Sequence, residues 1–107
     1  MEVKWIYMTA GSMDEARRIG RHLVESRLAA CVNMFEKMNS IYIWDGQLQD
    51  DQETVIIAKT TADRVPQLIK KVKDLHSYDC PCIVCLAVEN GNPAFLDWIE
   101  AQVRQKK

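Results

Sequence analysis

The chain has 107 residues, a length that fits one domain. Its 14 Lys and Arg nearly balance 15 Asp and Glu, so the net charge of -1 provides no basic surface for nucleic acid or an anionic membrane. No apolar run approaches the ~20 residues of a membrane span, and the N-terminus lacks signal-peptide features. We therefore expect one cytoplasmic domain over residues 1–107, whose four cysteines are thiols.

The first two predicted elements are a strand and a helix. Residues 3–9 are rich in β-branched and aromatic side chains, which is typical of a strand. Ser12 is a suitable N-cap, and Glu15 three positions later completes a capping box. Apolar side chains then recur at helical spacing to about residue 26, namely Ala16, Ile19, Leu23 and Val24.

A long β-hairpin follows. Residues 28–44 are mostly β-like, Asp45-Gly46 is the strongest hairpin signal in the chain, and the return arm extends to Thr60. The acidic residues 49–53 are predicted to form a solvated loop. Both arms are longer than one small sheet covers with its own helices, so we expect a partner subunit to complete them.

The second half repeats the strand–helix alternation. Asp63 is a candidate N-cap for a second helix with Pro66 in its first turn, and residues 82–88 form a short apolar strand. Asn92-Pro93 starts a third helix, which frays over residues 105–107. The order βαββαβ plus a C-terminal helix predicts an α+β, ferredoxin-like split-βαβ sandwich. That fold alone does not decide the function.

Five sequence motifs, in order, resemble the CutA family of divalent-cation tolerance proteins. The resemblance runs from about residue 6 to residue 99, nearly the whole chain. Each motif is weak alone, but the five together are specific. They are Leu23–Asn33 (LVESRLAACVN), Ser40–Gly46 (SIYIWDG), Lys59-Thr60, Leu75–Pro81 (LHSYDCP), and Glu89–Pro93 (ENGNP) with Leu96–Ile99 (LDWI).

The resemblance implies a very stable homotrimer in which the long strands reach neighbouring subunits. It also implies a trimer shaped like the PII-type signal transducers and a link to copper and other divalent ions. No catalytic activity comes with it, and no catalytic triad order, glycine-rich phosphate loop or close carboxylate pair indicates an enzyme. Two hypotheses follow: a trimeric metal-binding tolerance protein, or a trimeric signalling or scaffold module that binds a small effector or protein partner.

Three residues are candidate metal ligands. His76 matches the family histidine near the inter-subunit cleft, and a neutral imidazole suits copper or zinc; its alternative role is to cap the second helix. Cys80 and Cys82 are soft ligands that select Cu(I), and in an extended segment they point to the same side. Cys85 then points the other way. The pair departs from the family pattern, and its alternative role is core packing, as it is for Cys31. We expect Met8, which stands where some family members carry cysteine, to pack in the core.

Four further residues are candidate ligand contacts. Trp44, Lys59 and Tyr78 match family positions around the inter-subunit cleft, and Tyr42 is predicted to share a strand face with Trp44. Together with His76 they are suited to a small anionic or aromatic ligand. The alternative is interface packing, in which aromatic side chains are enriched.

Overall fold

The computed structural model describes residues 2–104, so the predicted fraying over residues 105–107 lies outside the described chain. It confirms the predicted order of strands and helices. The elements are β1 (Val3–Ala10), α1 (Met13–Glu25), β2 (Cys31–Trp44), β3 (Gln47–Thr61), a short 3₁₀ turn (Ala62–Arg64), α2 (Val65–Leu75), β4 (Ile83–Ala87) and α3 (Pro93–Val103).

The four strands form one antiparallel sheet in the order β2-β3-β1-β4. Helices α1 and α2 cover one face of it, where apolar side chains of β1 and β3 meet the apolar stripes of both helices. The strand residues in this contact are Ile6, Met8, Ala10, Ile56 and Ala58. This is the predicted ferredoxin-like α+β architecture. The largest side chains of this core are fully buried and include the expected Met8: Ile6, Met8, Ile19, Leu23, Ile56, Leu68 and Val72.

The opposite face, which we call the open face, carries the odd-numbered residues of β1. Its side chains align across strands, with Trp5 opposite Leu86 and Tyr7 opposite Val84. Val84 and Leu86 are each 50% exposed and Phe35 is 58% exposed. Helix α3 covers only one end of this face, through a small cluster with Val3. Within the described chain, most of the open face therefore has no covering layer.

The β2–β3 hairpin is as long as predicted, with 14 and 15 residues in its two strands. Asp45 and Gly46 form its turn with φ values of 51° and 76°, the left-handed geometry that favours an Asp-Gly turn. A β-bulge interrupts the pairing between Phe35 and Met38, and Lys37 adopts a φ of 65° there. Two residues of β2 thus face one of β3, which reverses the alternation of β2 beyond this point.

Two local predictions are corrected. Asp63 does not cap α2: it lies in the 3₁₀ turn that precedes the helix, where its carboxylate accepts a hydrogen bond from the Thr61 hydroxyl. Residues 49–53 are not a loop but part of β3, because the hairpin pairs continuously from Met38 to its tip. The Ser12 cap is confirmed, since its hydroxyl oxygen accepts a hydrogen bond from the Glu15 N–H.

Candidate functional site

A cleft of about 530 Å³ lies between the outer half of the hairpin and the loop that follows α2. It contains five of the seven residues predicted to bind a metal or ligand, namely Tyr42, Trp44, Tyr78, Cys80 and Cys82. His76 and Lys59 are not among its lining residues. The full lining is Thr9, Tyr42, Trp44, Glu53, Ser77, Tyr78, Asp79, Cys80 and Cys82.

The bulge in β2 places the hairpin aromatics in the cleft. Phe35 pairs with Val55 before the bulge, and Met38 pairs with Glu53 after it. Regular alternation through the same residues from Phe35 onward would put Tyr42 and Trp44 on the helix side of the sheet. With the bulge, they continue the open face, and the Tyr42 hydroxyl donates a hydrogen bond of 3.3 Å to Asp51. Partial burial and the carboxylate of Asp51 raise the pKa of Tyr42.

Glu53 is a cleft residue that sequence reasoning missed. It stands in the acidic stretch expected to be solvated, yet its carboxylate accepts a 3.2 Å hydrogen bond from the Tyr78 hydroxyl, 25 residues away. Burial and the Glu53 carboxylate raise the pKa of Tyr78 to about 12, so this phenol stays neutral at physiological pH. No local sequence signal indicates this pairing. Side chains alternate between the two faces of a strand, and Thr54 is buried, so Glu53 must lie on the face away from the core.

His76 lies beneath the cleft and holds its loop. Its side chain is fully buried. The Tyr78 backbone N–H donates to Nδ1 at 3.0 Å, so Nε2 carries the proton and donates to the Thr9 carbonyl oxygen at 2.7 Å. The ring also packs against that of Tyr78, with centroids 4.6 Å apart. Both ring nitrogens are thus used within the chain, and a metal would have to displace one of these hydrogen bonds.

Glu15 clamps the same loop from the start of α1. Its carboxylate accepts hydrogen bonds from the backbone N–H groups of Gly11, at 3.1 Å, and Ser77, at 2.8 Å. The second oxygen also lies 3.8 Å from Nδ1 of His76. Burial would raise the pKa of Glu15, but the hydrogen bonds from Ser77 and Gly11 and the nearby His76 outweigh it, so the pKa is lowered.

The Glu15 clamp makes stability depend on pH. A carboxyl whose pKa is lowered by folding stabilises the folded state above its unfolded pKa of about 4.3, and this contribution disappears as the pH falls through the lower folded value. We expect Glu15→Gln to reduce the free energy of unfolding by about 1–2 kcal/mol at pH 7. The difference from the wild type should shrink below about pH 4, as measured by urea unfolding at several pH values.

Asp14→Asn is the matched control for this test. Asp14 also lies in the first turn of α1 but is exposed, so it shares the effect of the helix dipole without the hydrogen bonds to the loop. Its substitution should lower the free energy of unfolding by no more than about 0.5 kcal/mol. Two results would show that the Glu15 clamp does not act through its charge: an equal loss of unfolding free energy in the two variants, or a loss in Glu15→Gln that persists below pH 3.

Lys59 lies on the open face, well away from the cleft. It is six positions from Glu53 along β3, which corresponds to about 20 Å along the strand. Its ammonium contacts Asn33 and lies 5.6 Å from the centre of the Trp5 ring. Within one subunit, the structure therefore does not bring Lys59 together with Tyr42, Trp44 and Tyr78.

Of the three cysteines near β4, two line the cleft and one lies outside it. Cys80 and Cys82 both line the cleft, whereas Cys85 is an exposed residue of β4 outside it. All four cysteines are free thiols. Burial and the nearby Glu53 carboxylate raise the pKa of Cys82. Between residues 2 and 104, no three His, Cys, Asp or Glu side chains are grouped closely enough to hold a metal ion.

Comparison with known proteins places this geometry in one family. The family model described as CutA1 divalent ion tolerance protein matches residues 4–102 of this chain. The divalent-cation tolerance protein CutA of Archaeoglobus fulgidus is 41% identical over 92% of this chain and 96% of its own length. That of Thermus thermophilus is 45% identical over 88% of this chain and 91% of its own length.

The solved structures agree. CutA from Xylella fastidiosa superposes with a TM-score of 0.94 at 34% identity, covering 97% of this chain and 100% of its own. The structure of the Archaeoglobus fulgidus protein, which is named a periplasmic divalent cation tolerance protein, superposes with a TM-score of 0.92 at 40% identity. It covers 95% of this chain and 99% of its own. No helix of residues 2–104 is long and apolar enough to cross a membrane, and the cytoplasmic location stays a prediction. The chain therefore belongs to the CutA1 divalent ion tolerance protein family.

Proposed function

We propose that this protein is a homotrimeric tolerance protein that binds copper, with other divalent ions as weaker alternatives. The observation that carries the metal proposal is the convergence of two thiols, Cys80 and Cys82, on one cleft. The relatives are named for tolerance of divalent cations, and we propose no catalytic role.

The trimer is proposed from surfaces that one subunit leaves uncovered. The open face exposes Phe35, Val84 and Leu86, and the hairpin exposes Ile43 and Leu48 even more strongly, at 71% and 72%. Exposed apolar area of this kind marks an interaction surface. The hairpin also projects beyond the helix layer, in a chain whose extents are 46 × 27 × 21 Å. Neighbouring copies of the same chain would cover both surfaces.

The metal chemistry follows from the donor atoms. Thiolates are soft ligands that prefer Cu(I), whereas the described carboxylates do not form a hard-ion cluster. Each thiol must lose its proton on binding, and the raised pKa of Cys82 makes affinity increase with pH. We therefore propose Cys80 and Cys82 as the ligands. His76 is proposed to position their loop, because both of its ring nitrogens are already hydrogen-bonded.

A Cu(I) titration tests the thiol site. We expect Cys82→Ser and Cys80→Ser each to weaken Cu(I) binding at least about 100-fold, or ~3 kcal/mol. The measurement is an anaerobic competition against a chromophoric Cu(I) chelator, repeated at pH 6 and pH 8. Cys85→Ser is the matched control, since it removes an exposed thiol outside the cleft. Unchanged affinity in both cleft variants, or an equal loss in Cys85→Ser, would contradict the assignment.

A second function is favoured by the shape and lining of the cleft. A volume of about 530 Å³ with aromatic side chains from the hairpin and the loop is typical of a small-molecule site. We therefore propose, as the alternative, a PII-like trimeric signalling or scaffold module that binds a small effector or protein partner there. A thermal-shift screen of metabolites tests it, because a ligand of the folded state raises the melting temperature.

A further inference from the structure

A second pocket lies at the end of the sheet opposite the hairpin tip. It has a volume of about 360 Å³ and is lined by residues of the β3 end, the 3₁₀ turn, α2 and the C-terminal end of α3. Within residues 2–104, it shares no lining residue with the cleft. The exposed apolar residues proposed for the trimer contact do not line it either. A ligand of this pocket would therefore be bound within one subunit.

Arg64 is the buried charge of this pocket, with 7% of its surface exposed. Buried arginines are rare unless they are paired. The Nε–H of Arg64 donates a hydrogen bond of 2.9 Å to the carbonyl oxygen of Val103. That oxygen belongs to the last turn of α3, where carbonyl groups have no partner within the helix and carry partial negative charge. This contact holds the guanidinium at the wall of the pocket.

The two terminal nitrogens of Arg64 are open to the pocket. Among residues 2–104, they have no hydrogen bond or ion pair. Neither of them is fully buried, because no fully buried nitrogen or oxygen of a buried side chain in that range lacks a hydrogen-bond partner. A guanidinium that is fixed at Nε and open at its other two nitrogens presents two parallel donors, which match the oxygens of a carboxylate.

Charges of both signs line the pocket. It contains two arginines, Arg64 and Arg104, and two carboxylates, Asp63 and Glu100, so the formal charges cancel. Asp63 accepts a hydrogen bond from the Thr61 hydroxyl, and Glu100 lies 4.0 Å from a terminal nitrogen of Arg104. A purely anionic ligand would be repelled by both carboxylates, and a purely cationic ligand by Arg64. A ligand that carries both charges would find a partner for each.

The opposite charges lie close together because they flank the contact between Arg64 and Val103. Asp63 directly precedes Arg64, and Glu100 is three positions before Val103 on the same side of α3. Gln67 supports the turn. In the orientation that satisfies both ends of its amide, the nitrogen donates to the backbone oxygens of Asp63 at 3.0 Å and Arg64 at 3.3 Å. A space of this size with a few convergent polar groups is typical of a small-molecule site.

We propose that this pocket binds a small α-amino acid as a zwitterion. Its carboxylate binds the terminal nitrogens of Arg64, and its ammonium group points to Asp63 and Glu100. Since a single carbon atom separates the two charges of an α-amino acid, both reach their partners within this small space. The inference goes beyond the proposed function, because it uses neither the thiols nor the cleft and does not depend on the trimer.

Three probes of one carbon skeleton test the proposal: norvaline, pentanoate and butylammonium. Norvaline carries both charges, pentanoate lacks the ammonium group, and butylammonium lacks the carboxylate. They are titrated into the wild-type protein, and binding is followed by the NMR signal of the Arg64 Nε–H, which is assigned with Arg64→Lys. We expect norvaline to bind at least about tenfold more tightly than either of the other probes and to shift this signal.

Two sets of variants locate the two charge contributions. Arg64→Lys loses the paired donors and should weaken norvaline and pentanoate binding alike. Because this change also removes the hydrogen bond to Val103, the second variant acts on the carboxylates. Asp63→Asn/Glu100→Gln should weaken norvaline binding about five- to tenfold without weakening pentanoate binding. Asp74→Asn is the matched control, since it removes an exposed carboxylate of α2 outside the pocket, and it should leave all affinities unchanged.

Four results would overturn the inference. Pentanoate or butylammonium would bind as tightly as norvaline, or norvaline would bind without moving the Arg64 signal. Asp63→Asn/Glu100→Gln would bind norvaline as tightly as Asp74→Asn does, or norvaline would not bind at all. None of these results bears on the thiol site or the cleft, which have their own tests in the Cu(I) titration and the metabolite screen.

Discussion

Replacing His76 with alanine should lower the free energy of unfolding by about 3 kcal/mol. The substitution removes a fully buried ring and leaves two backbone groups without their partners, the Thr9 carbonyl and the Tyr78 N–H. Loss of the donor to the part-buried Thr9 carbonyl costs about 1–3 kcal/mol, the more exposed Tyr78 N–H turns to water at a smaller cost, and the cavity adds to the loss. Urea unfolding at one fixed subunit concentration measures the effect, since oligomer stability depends on concentration.

The second histidine of the chain provides the control. His22 is exposed on α1, and its replacement with alanine should change stability by no more than about 0.5 kcal/mol. Hydrogen exchange at the Tyr78 amide gives an independent readout, because His76→Ala removes its acceptor. If His76→Ala were as stable as His22→Ala and yet lost Cu(I) binding, His76 would be a metal ligand rather than a positioning residue.

Converting Val84 and Leu86 to aspartate should separate the proposed trimer into folded monomers. Both side chains are half exposed on the open face, where they lie opposite Tyr7 and Trp5. Neighbouring subunits would bury them, and an unpaired charge in a buried apolar interface is strongly unfavourable. We expect the dissociation constant to rise at least about 1000-fold, which corresponds to ~4 kcal/mol. Sedimentation equilibrium at low micromolar concentration measures it.

Val24→Asp controls for surface charge in that experiment. Val24 is also an exposed apolar residue, but it belongs to α1 in the helix layer, on the side of the sheet away from the open face. This variant should sediment like the wild type. Two results would contradict the trimer proposal: a wild-type protein that is a monodisperse monomer at micromolar concentration, or a Val84→Asp/Leu86→Asp protein that keeps the wild-type mass.

The fold could be predicted because its signals are local. Ile19 and Leu23 recur at helical spacing and are both fully buried in the core. Asp45-Gly46 indicated the hairpin turn, and the two residues adopt the positive φ values that such a turn requires. Asn92 was expected to cap α3, and its side chain accepts a hydrogen bond from the Ala94 N–H. In each case the residues that carry the signal lie within a few positions of one another in the sequence.

The cleft could be predicted only in part, because its key interactions are distant in sequence. The pairing of Glu53 with Tyr78 joins two elements that only the folded sheet brings together. Lys37 carries none of the Gly or Asn signals that mark a positive φ, so nothing local indicated the bulge. The shared face of Tyr42 and Trp44 followed from alternation, but which side of the sheet they face did not.

The bulge at residues 36–37 is a point where β2 can change length. Deleting Lys37 would leave Glu36 alone opposite Thr54 and would keep Met38 opposite Glu53, Tyr42 opposite Gln49 and Trp44 opposite Gln47. Directly opposite residues share a face of the sheet, so the aromatic lining would stay in the cleft. The deletion would remove only the local bend and the positive φ of Lys37. A one-residue change elsewhere in either strand would need a compensating bulge to keep the same side chains in the cleft.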